Sequence, residues 1–191
     1  AYVRGGACAI SVLTEPDYFL GSLEHLSAVA AAVSVPVMRK DFLVSPAQVF
    51  EARLHGASGV LVVLRCTPDP GALIDAAAEA GMFVLVEAFD AHDLDLLDTL
   101  LPLQDHVLVG VNARDLDTLG IDHARHGLLR SRLPVGLRSV AESGIRTVED
   151  AARAATLGYE LALVGSALMA HDDPTALLSR LQAAADAVWM P

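Results

Sequence analysis

Little in this chain is aromatic, and less of it is basic than acidic. Phe, Trp and Tyr make up 5% of the 191 residues, so the 53% that is apolar rests on Ala, Val and Leu. That content argues against disorder. It suits β-branched strands covered by Ala- and Leu-rich helices, the mix of an α/β protein. Lys and Arg number 13 against 24 Asp and Glu, a formal net charge of −11, and no basic run stands out. A nucleic-acid footprint is therefore absent, and the acidity is assigned to solubility. An anionic substrate would need locally placed positive groups. Cysteine is scarce: Cys8 and Cys66 lie beside apolar runs and outside any C-x-x-C pattern. The expectation is two buried thiols in a reducing compartment and no zinc site. No apolar stretch reaches the roughly 18 residues of a membrane span, and Ala1–Ile10 lacks signal-peptide architecture. Ala1–Gly5 reads as the tail of a helix running into a strand, so the chain is expected to be a fragment.

What is present is a recurring unit. A short apolar run is followed by a polar or Gly/Pro loop and then by an amphipathic stretch. The strand-like runs are Ala7–Val12, Val35–Arg39, Gly59–Val63, Phe83–Glu87, Val107–Val111, Leu137–Ala141 and Leu161–Val164. Their starts fall about 20–30 residues apart, the spacing of β/α units. Helices are predicted over Ser22–Val33, Pro46–Gly56, Asp69–Gly81, Ala91–Leu100, Asp122–Arg132, Thr147–Gly158 and Pro174–Val188. Ser45 before Pro46 has N-cap chemistry, and Thr147-Val-Glu-Asp reads as a capping box. Runs such as Leu61-Val-Val-Leu suit strands buried on both faces of a parallel sheet. The prediction is one domain over 1–191. Its fold is a TIM (β/α)8 barrel with seven units visible and the first strand and most of the first helix missing. An open doubly wound sheet is the other arrangement these units allow.

Active groups of such barrels sit at strand C-termini. The polar residues there are Ser11, Thr14, Glu15, Arg39, Lys40, Asp41, Glu87, Asn112, Arg114, Asp115, Glu142 and Ser143. Lys and Glu are the pairing that general acid–base chemistry uses, and a partly desolvated Lys gives up a proton near neutrality more readily. Arg39, Asp41, Glu15 and Asp115 also suit a plainer role, ion pairs that order the rim. Most of the seven histidines, His126 among them, fall in helices or at helix ends, where solvent-facing is the default, and none is assigned a role. Two turns, Glu142-Ser-Gly-Ile and Gly165-Ser-Ala-Leu, have the Gly and Ser that let backbone N–H groups approach a phosphate.

Taken together, the residues resemble a known family. Ile10-Ser-Val-Leu-Thr-Glu-Pro-x-Tyr-Phe-x-Gly-Ser-Leu, Pro36-Val-x-Arg-Lys-Asp-Phe, Leu85-Val-Glu, Gly110-Val-Asn-x-Arg-Asp-Leu, Ala141-Glu-Ser-Gly-Ile and Val164-Gly-Ser-x-Leu-Met are similar to segments of indole-3-glycerol-phosphate synthases. The match runs from about Tyr2 to Leu181. The resemblance implies a cytoplasmic carboxy-lyase of tryptophan biosynthesis that needs no cofactor or metal. Its substrate would be 1-(2-carboxyphenylamino)-1-deoxyribulose 5-phosphate, which loses CO₂ and water on ring closure. Lys40 would be the general acid of cyclisation, and Glu87 the base or acid of dehydration. Asn112, Glu142 and Ser143 would complete the polar wall. Phe19, Phe42, Leu61 and Val164 would hold the aromatic ring, with Arg114 steadying it or its carboxylate. Gly144, Gly165 and Ser166 would hold the phosphate.

One departure stands out. No segment here matches the family's first-strand Glu-x-Lys-x-x-Ser-Pro-Ser, so this polypeptide alone is expected to be weakly active or inactive. A monomer or weak homo-oligomer is expected, with open sheet edges as the place of association. The alternatives are a non-catalytic paralogue or fragment that binds a partner, and a phosphoribosylanthranilate isomerase-like barrel. The latter would want a Cys/Asp pair, and Cys8 stands at the wrong end of its strand.

Overall fold

A computed structural model describes residues 1–115 and 118–189. Seven strands form one sheet in chain order: β1 (Ile10–Leu13), β2 (Val37–Lys40), β3 (Gly59–Val63), β4 (Phe83–Ala88), β5 (Val107–Asn112), β6 (Arg138–Glu142) and β7 (Leu161–Leu163). A doubly wound sheet reverses its strand order at a switch point; the unbroken order here excludes that arrangement. The pairs β1–β2, β2–β3, β3–β4 and β6–β7 are parallel. The helices are α1 (Pro16–Phe19), α2 (Leu23–Ala32), α3 (Pro46–Leu54), α4 (Pro70–Glu79), α5 (Ala91–Thr99), α6 (Arg125–Arg130), α7 (Val148–Thr156), α8 (Ser166–Met169) and α9 (Pro174–Trp189).

The chain divides into two compact units. One comprises Cys8–Glu87 and Leu96–Leu108. All five residues of β3 are buried, which is why that segment is a run of apolar side chains with no polar alternation. Gly59 pairs with Phe83, and a Cβ there would overlap the Phe83 ring. Ser45 caps α3 in a reciprocal capping box with Gln48, and Asp69 caps α4 by accepting from the Ala72 N–H. Glu15 caps α1 more heavily, its carboxylate accepting from the Asp17, Tyr18 and Phe19 amides. These caps occupy donors that a helix start otherwise leaves unpaired.

The other unit comprises Ala1–Ala7, Ala88–Asp95 and Val109–Pro191. Its α7 opens on the predicted capping box, Thr147 with Asp150. The expected helical tail at Ala1–Gly5 is a 3-10 turn over Val3–Gly5. It lies along α9, where Ser179 and Gln182 donate to the Gly5 and Gly6 carbonyls at 3.2 and 2.7 Å. A Cβ on Gly5 would come within 2.9 Å of the Thr175 carbonyl, so the close approach needs glycine.

Three expectations are corrected here. The first strand begins at Ile10 and not at Ala7, because β-branched residues rather than small ones sustain the extended run. The helix expected over Asp122–Arg132 is confined to Arg125–Arg130. The cysteines are not buried: Cys8 is exposed and Cys66 half-buried. No helix among the described residues is long and apolar enough to cross a membrane.

Candidate active site

Strand register determines which side chains can meet. Parallel neighbours in register share a face. Met38 pairs with Gly59 and Arg39 with Val60, while Leu61 pairs with Leu85 and Val63 with Glu87. Lys40, Leu61, Leu85 and Glu87 therefore share one face, and Arg39 and Val60 lie on the other. Lys40 ends β2 and Glu87 is the penultimate residue of β4. The Lys40 Nζ donates to Glu87 Oε2 at 3.4 Å. The carboxylate is 3% exposed and the lysine 28%, so the ammonium still reaches solvent while its partner does not. Leu61, expected in the apolar pocket, is buried on that same face.

Arg39 supports this pair from behind. It is buried, and donates to Asp41 at 2.9 Å, to Glu51 at 2.8 Å and to the Gln48 carbonyl at 3.0 Å. Thr14 closes the cluster, its hydroxyl donating to Asp41 Oδ2 at 2.6 Å while accepting from Arg39 Nε at 3.0 Å. The other Asp41 oxygen accepts the Phe42 amide at 2.8 Å. The plainer reading of Arg39 and Asp41 as an ordering ion pair is thus realised, and it orients the residues on either side of Lys40. Phe42 meets Phe19, with ring centroids 6.2 Å apart. Glu15 fixes Phe19 through the cap on α1.

The second unit holds the remaining candidates. Asn112 ends β5 and Glu142 ends β6; both are buried. The Asn112 side-chain oxygen accepts the Arg114 amide at 2.9 Å, and the Arg114 guanidinium donates to the Leu119 carbonyl at 3.0 Å. Leu116, the last residue of the Gly110 motif, lies outside the described residues. After Glu142 the chain takes two left-handed steps, Ser143 at φ 64° and Gly144 at φ 77°. A non-glycine residue in that region carries strain of about 1 kcal/mol or more, and such strain gathers at functional turns. Val164 is half-buried; Gly165 and Ser166, the N-cap and first residue of α8, are exposed.

A cleft of about 580 Å³ beside Ser166 is lined by Arg146, Thr147, His171 and Arg180. Arg146 and Arg180 are local cations of the kind that an anionic ligand would require in a chain of net charge −11. Asp115 serves its loop, accepting the Thr118 amide at 2.8 Å. Among the described residues no three His, Cys, Asp or Glu side chains gather as a metal set.

One buried group was missed. His126 was expected to face solvent, yet it is 6% exposed, with Nε2 at 3.2 Å from the Val111 carbonyl and 3.1 Å from that of Glu142. Burial holds its pKa below the ordinary value, against the opposing pull of the two carbonyls. The available signal was spacing: His126, Leu129 and Leu133 recur at i, i+3 and i+7, and all three are buried.

Comparison with known proteins adds an independent line. A protein of Mycobacteroides abscessus described as indole-3-glycerol phosphate synthase is 43% identical over 183 residues, covering 95% of this chain and 66% of that protein. One from Leifsonia xyli subsp. xyli, described in the same words, is 45% identical over 184 residues, covering 95% and 68%. The chain thus spans about two thirds of the length of these relatives. Among solved structures, phosphoribosyl anthranilate isomerase from Thermotoga maritima aligns with a TM-score of 0.73 at 14% identity, over 97% of this chain and 91% of that one. At that identity the likeness is one of fold, TIM-barrel-like. The sequence profile of the family described as indole-3-glycerol phosphate synthase matches residues 1–181, and the chain belongs to that family.

Proposed function

We propose that these residues form most of an indole-3-glycerol phosphate synthase. The reaction converts 1-(2-carboxyphenylamino)-1-deoxyribulose 5-phosphate to indole-3-glycerol phosphate, CO₂ and water. The observation that carries the reading is the Lys40–Glu87 pair, a cation and a carboxylate from separate strands within 3.4 Å on one face of the sheet.

The chemistry asks for such a pair. Ring closure puts negative charge on the substrate's ketone oxygen, and the Lys40 ammonium is the donor that converts it to an alcohol. Decarboxylation then releases CO₂, its electrons flowing into the cationic iminium formed on cyclisation. Dehydration removes that alcohol as water and takes a proton from the ring system, the step assigned to Glu87. Asn112, Glu142 and Ser143 supply the polar wall. Phe19, Phe42, Leu61 and Val164 supply apolar contact for the aromatic ring, and Arg114 a cation for its carboxylate. Gly144, Gly165 and Ser166 supply the phosphate contacts, with Arg146 and Arg180 adding charge near Ser166. A second Lys and Glu on a further strand belong to the family's pattern, so the seven strands are read as seven of a (β/α)8 barrel in one domain. The polypeptide alone is expected to turn over weakly, and a cytoplasmic setting fits the reaction.

The test is direct. The substrate is mixed with the 191-residue chain, alone and with a separately supplied β/α segment carrying Glu-x-Lys, and indole fluorescence is followed. Product should form in the mixture and require both Lys40 and Glu87. A mixture whose turnover is unchanged by Lys40→Met and by Glu87→Gln overturns the reading.

A further inference from the structure

Helix α6 presents an imidazole where a helix normally presents an apolar side chain to its sheet. The His126 ring lies against the ends of two strands. Its Nε2 is 3.2 Å from the Val111 carbonyl, one residue before Asn112, and 3.1 Å from the carbonyl of Glu142 itself. Carbonyl oxygens only accept, so Nε2 carries a proton and shares it between them. The next residue back, Arg125, adds a third tie: its Nη1 donates to the Asn112 carbonyl at 3.3 Å, and its guanidinium lies 3.6 Å from the centre of the Phe89 ring. The helix is anchored in turn. The Tyr159 hydroxyl donates to the His126 carbonyl at 2.9 Å, and the two rings meet edge to face at 5.4 Å.

We propose that His126 is a positioning residue, whose N–H clamps the ends of β5 and β6 and so sets the spacing between the Asn112 and Glu142 side chains. It touches no substrate. The inference rests on the reading that Asn112 and Glu142 act in the synthase reaction. Its physical basis is leverage. Asn112 and Glu142 leave the backbone at, or next to, the peptide units that His126 holds, so loss of the shared donor moves both together. The Ala113 amide already donates to the Glu142 carbonyl at 2.9 Å, which makes His126 the second donor to that oxygen. The same carbonyl thereby links β6 to both the strand and the helix that precede it.

The experiment compares His126→Phe, which keeps a planar ring and removes the donor, with His126→Gln, which keeps an N–H. Both are assayed in the shortest polypeptide containing residues 1–191 that turns over, below the melting temperature of each variant. The Phe variant should lose about 10- to 100-fold in kcat with KM within threefold, since small misplacements of reacting groups cost rate. The Gln variant should recover at least half of that loss on a logarithmic scale. In an Asn112→Ala background the His126→Phe loss should shrink, because the two residues act through one arrangement. A folded Phe variant with kcat within twofold of the parent overturns the proposal. So does a Gln variant as impaired as Phe, or a loss that is fully additive with Asn112→Ala. If the Phe variant does not fold, the Gln variant decides: it should fold with kcat within tenfold of the parent and a non-additive loss in the Asn112→Ala background. Failure of the underlying reading looks different: Asn112→Ala and Glu142→Gln would then leave turnover unchanged.

Discussion

The two units hold their candidate groups by different means. In the unit of Cys8–Glu87, charged and polar side chains also hold one another: Arg39 is bound to Asp41 and Glu51, Thr14 to Asp41, and Lys40 to Glu87. In the unit that contains β6 and β7, side chains hold the main chain. His126 reaches two carbonyls, Arg125 a third, and Arg130 the Gly158 carbonyl at 2.8 Å. Two single strands differ as well. All of β3 is buried, while Ala162 in β7 is exposed and its neighbours are half-buried. The difference matches the roles proposed for the two sets of residues. Proton transfer, as proposed for Lys40 and Glu87, needs charges fixed against one another in a poorly hydrated place, and a network of ionised side chains would supply that. The proposed phosphate contacts need amide groups at defined angles, and a braced backbone would supply that.

The sharpest way to break this comparison is to remove one charge. Lys40→Met should lower kcat by about 10²- to 10⁴-fold, the usual worth of a general acid, while KM changes less than tenfold. Steady-state rates on an active assembly check it, and a loss confined to KM would erase the contrast between the units. Next comes the strand core. Val62→Ala should destabilise by about 2 kcal/mol through lost burial and a residual cavity, whereas Ala162→Ser should stay within about 0.5 kcal/mol. Urea unfolding of each variant measures both. In the main-chain-held unit, Gly144→Val introduces a β-branched residue at φ 77°, with its Cβ 3.1 Å from Ile121. KM for the phosphorylated substrate should rise about tenfold or more with kcat nearly unchanged, the reverse of the Lys40 result.

The smallest effect is with pH. Burial lowers the His126 pKa from its ordinary 6.5. The unfolded chain therefore takes up a proton first as pH falls, so this group's stabilising contribution is whole above about 6.5 and declines below it. The groups around it are His123 and Arg125 on its own segment, Tyr159 beyond the ring, and the Val111 and Glu142 carbonyls of the strands. His126→Gln should flatten the acid side of a stability–pH curve measured by thermal melting. An unchanged slope would assign that limb to other groups.

Much of this was legible in the sequence. Continuous apolar runs located all seven strands, and Ser45 and Thr147 located two helix starts, because burial and capping act locally. Strand ends were read short by a residue or so: Lys40, Asn112 and Glu142 finish their strands rather than follow them. A polar side chain ends an apolar run before the backbone ladder ends. His126 was hidden for the opposite reason. A titratable residue on a short helix suggests water, and only tertiary packing brings two carbonyls to its ring. The exposure of Cys8 was invisible as well, since its apolar neighbours say nothing about which side the thiol takes.

The alternation at Arg39 and Lys40 has a last consequence. Two adjacent cations stand back to back, one sunk among the α3 carbonyl and carboxylate partners and the other turned to Glu87. A slip of β2 by a single residue would exchange them. The guanidinium, which does not surrender a proton near neutrality, would then face the carboxylate, and the amine would be left with a socket shaped for a five-donor fork. Identity and order in this dipeptide are thus inseparable: swapping two like charges would keep the composition and lose the proposed acid.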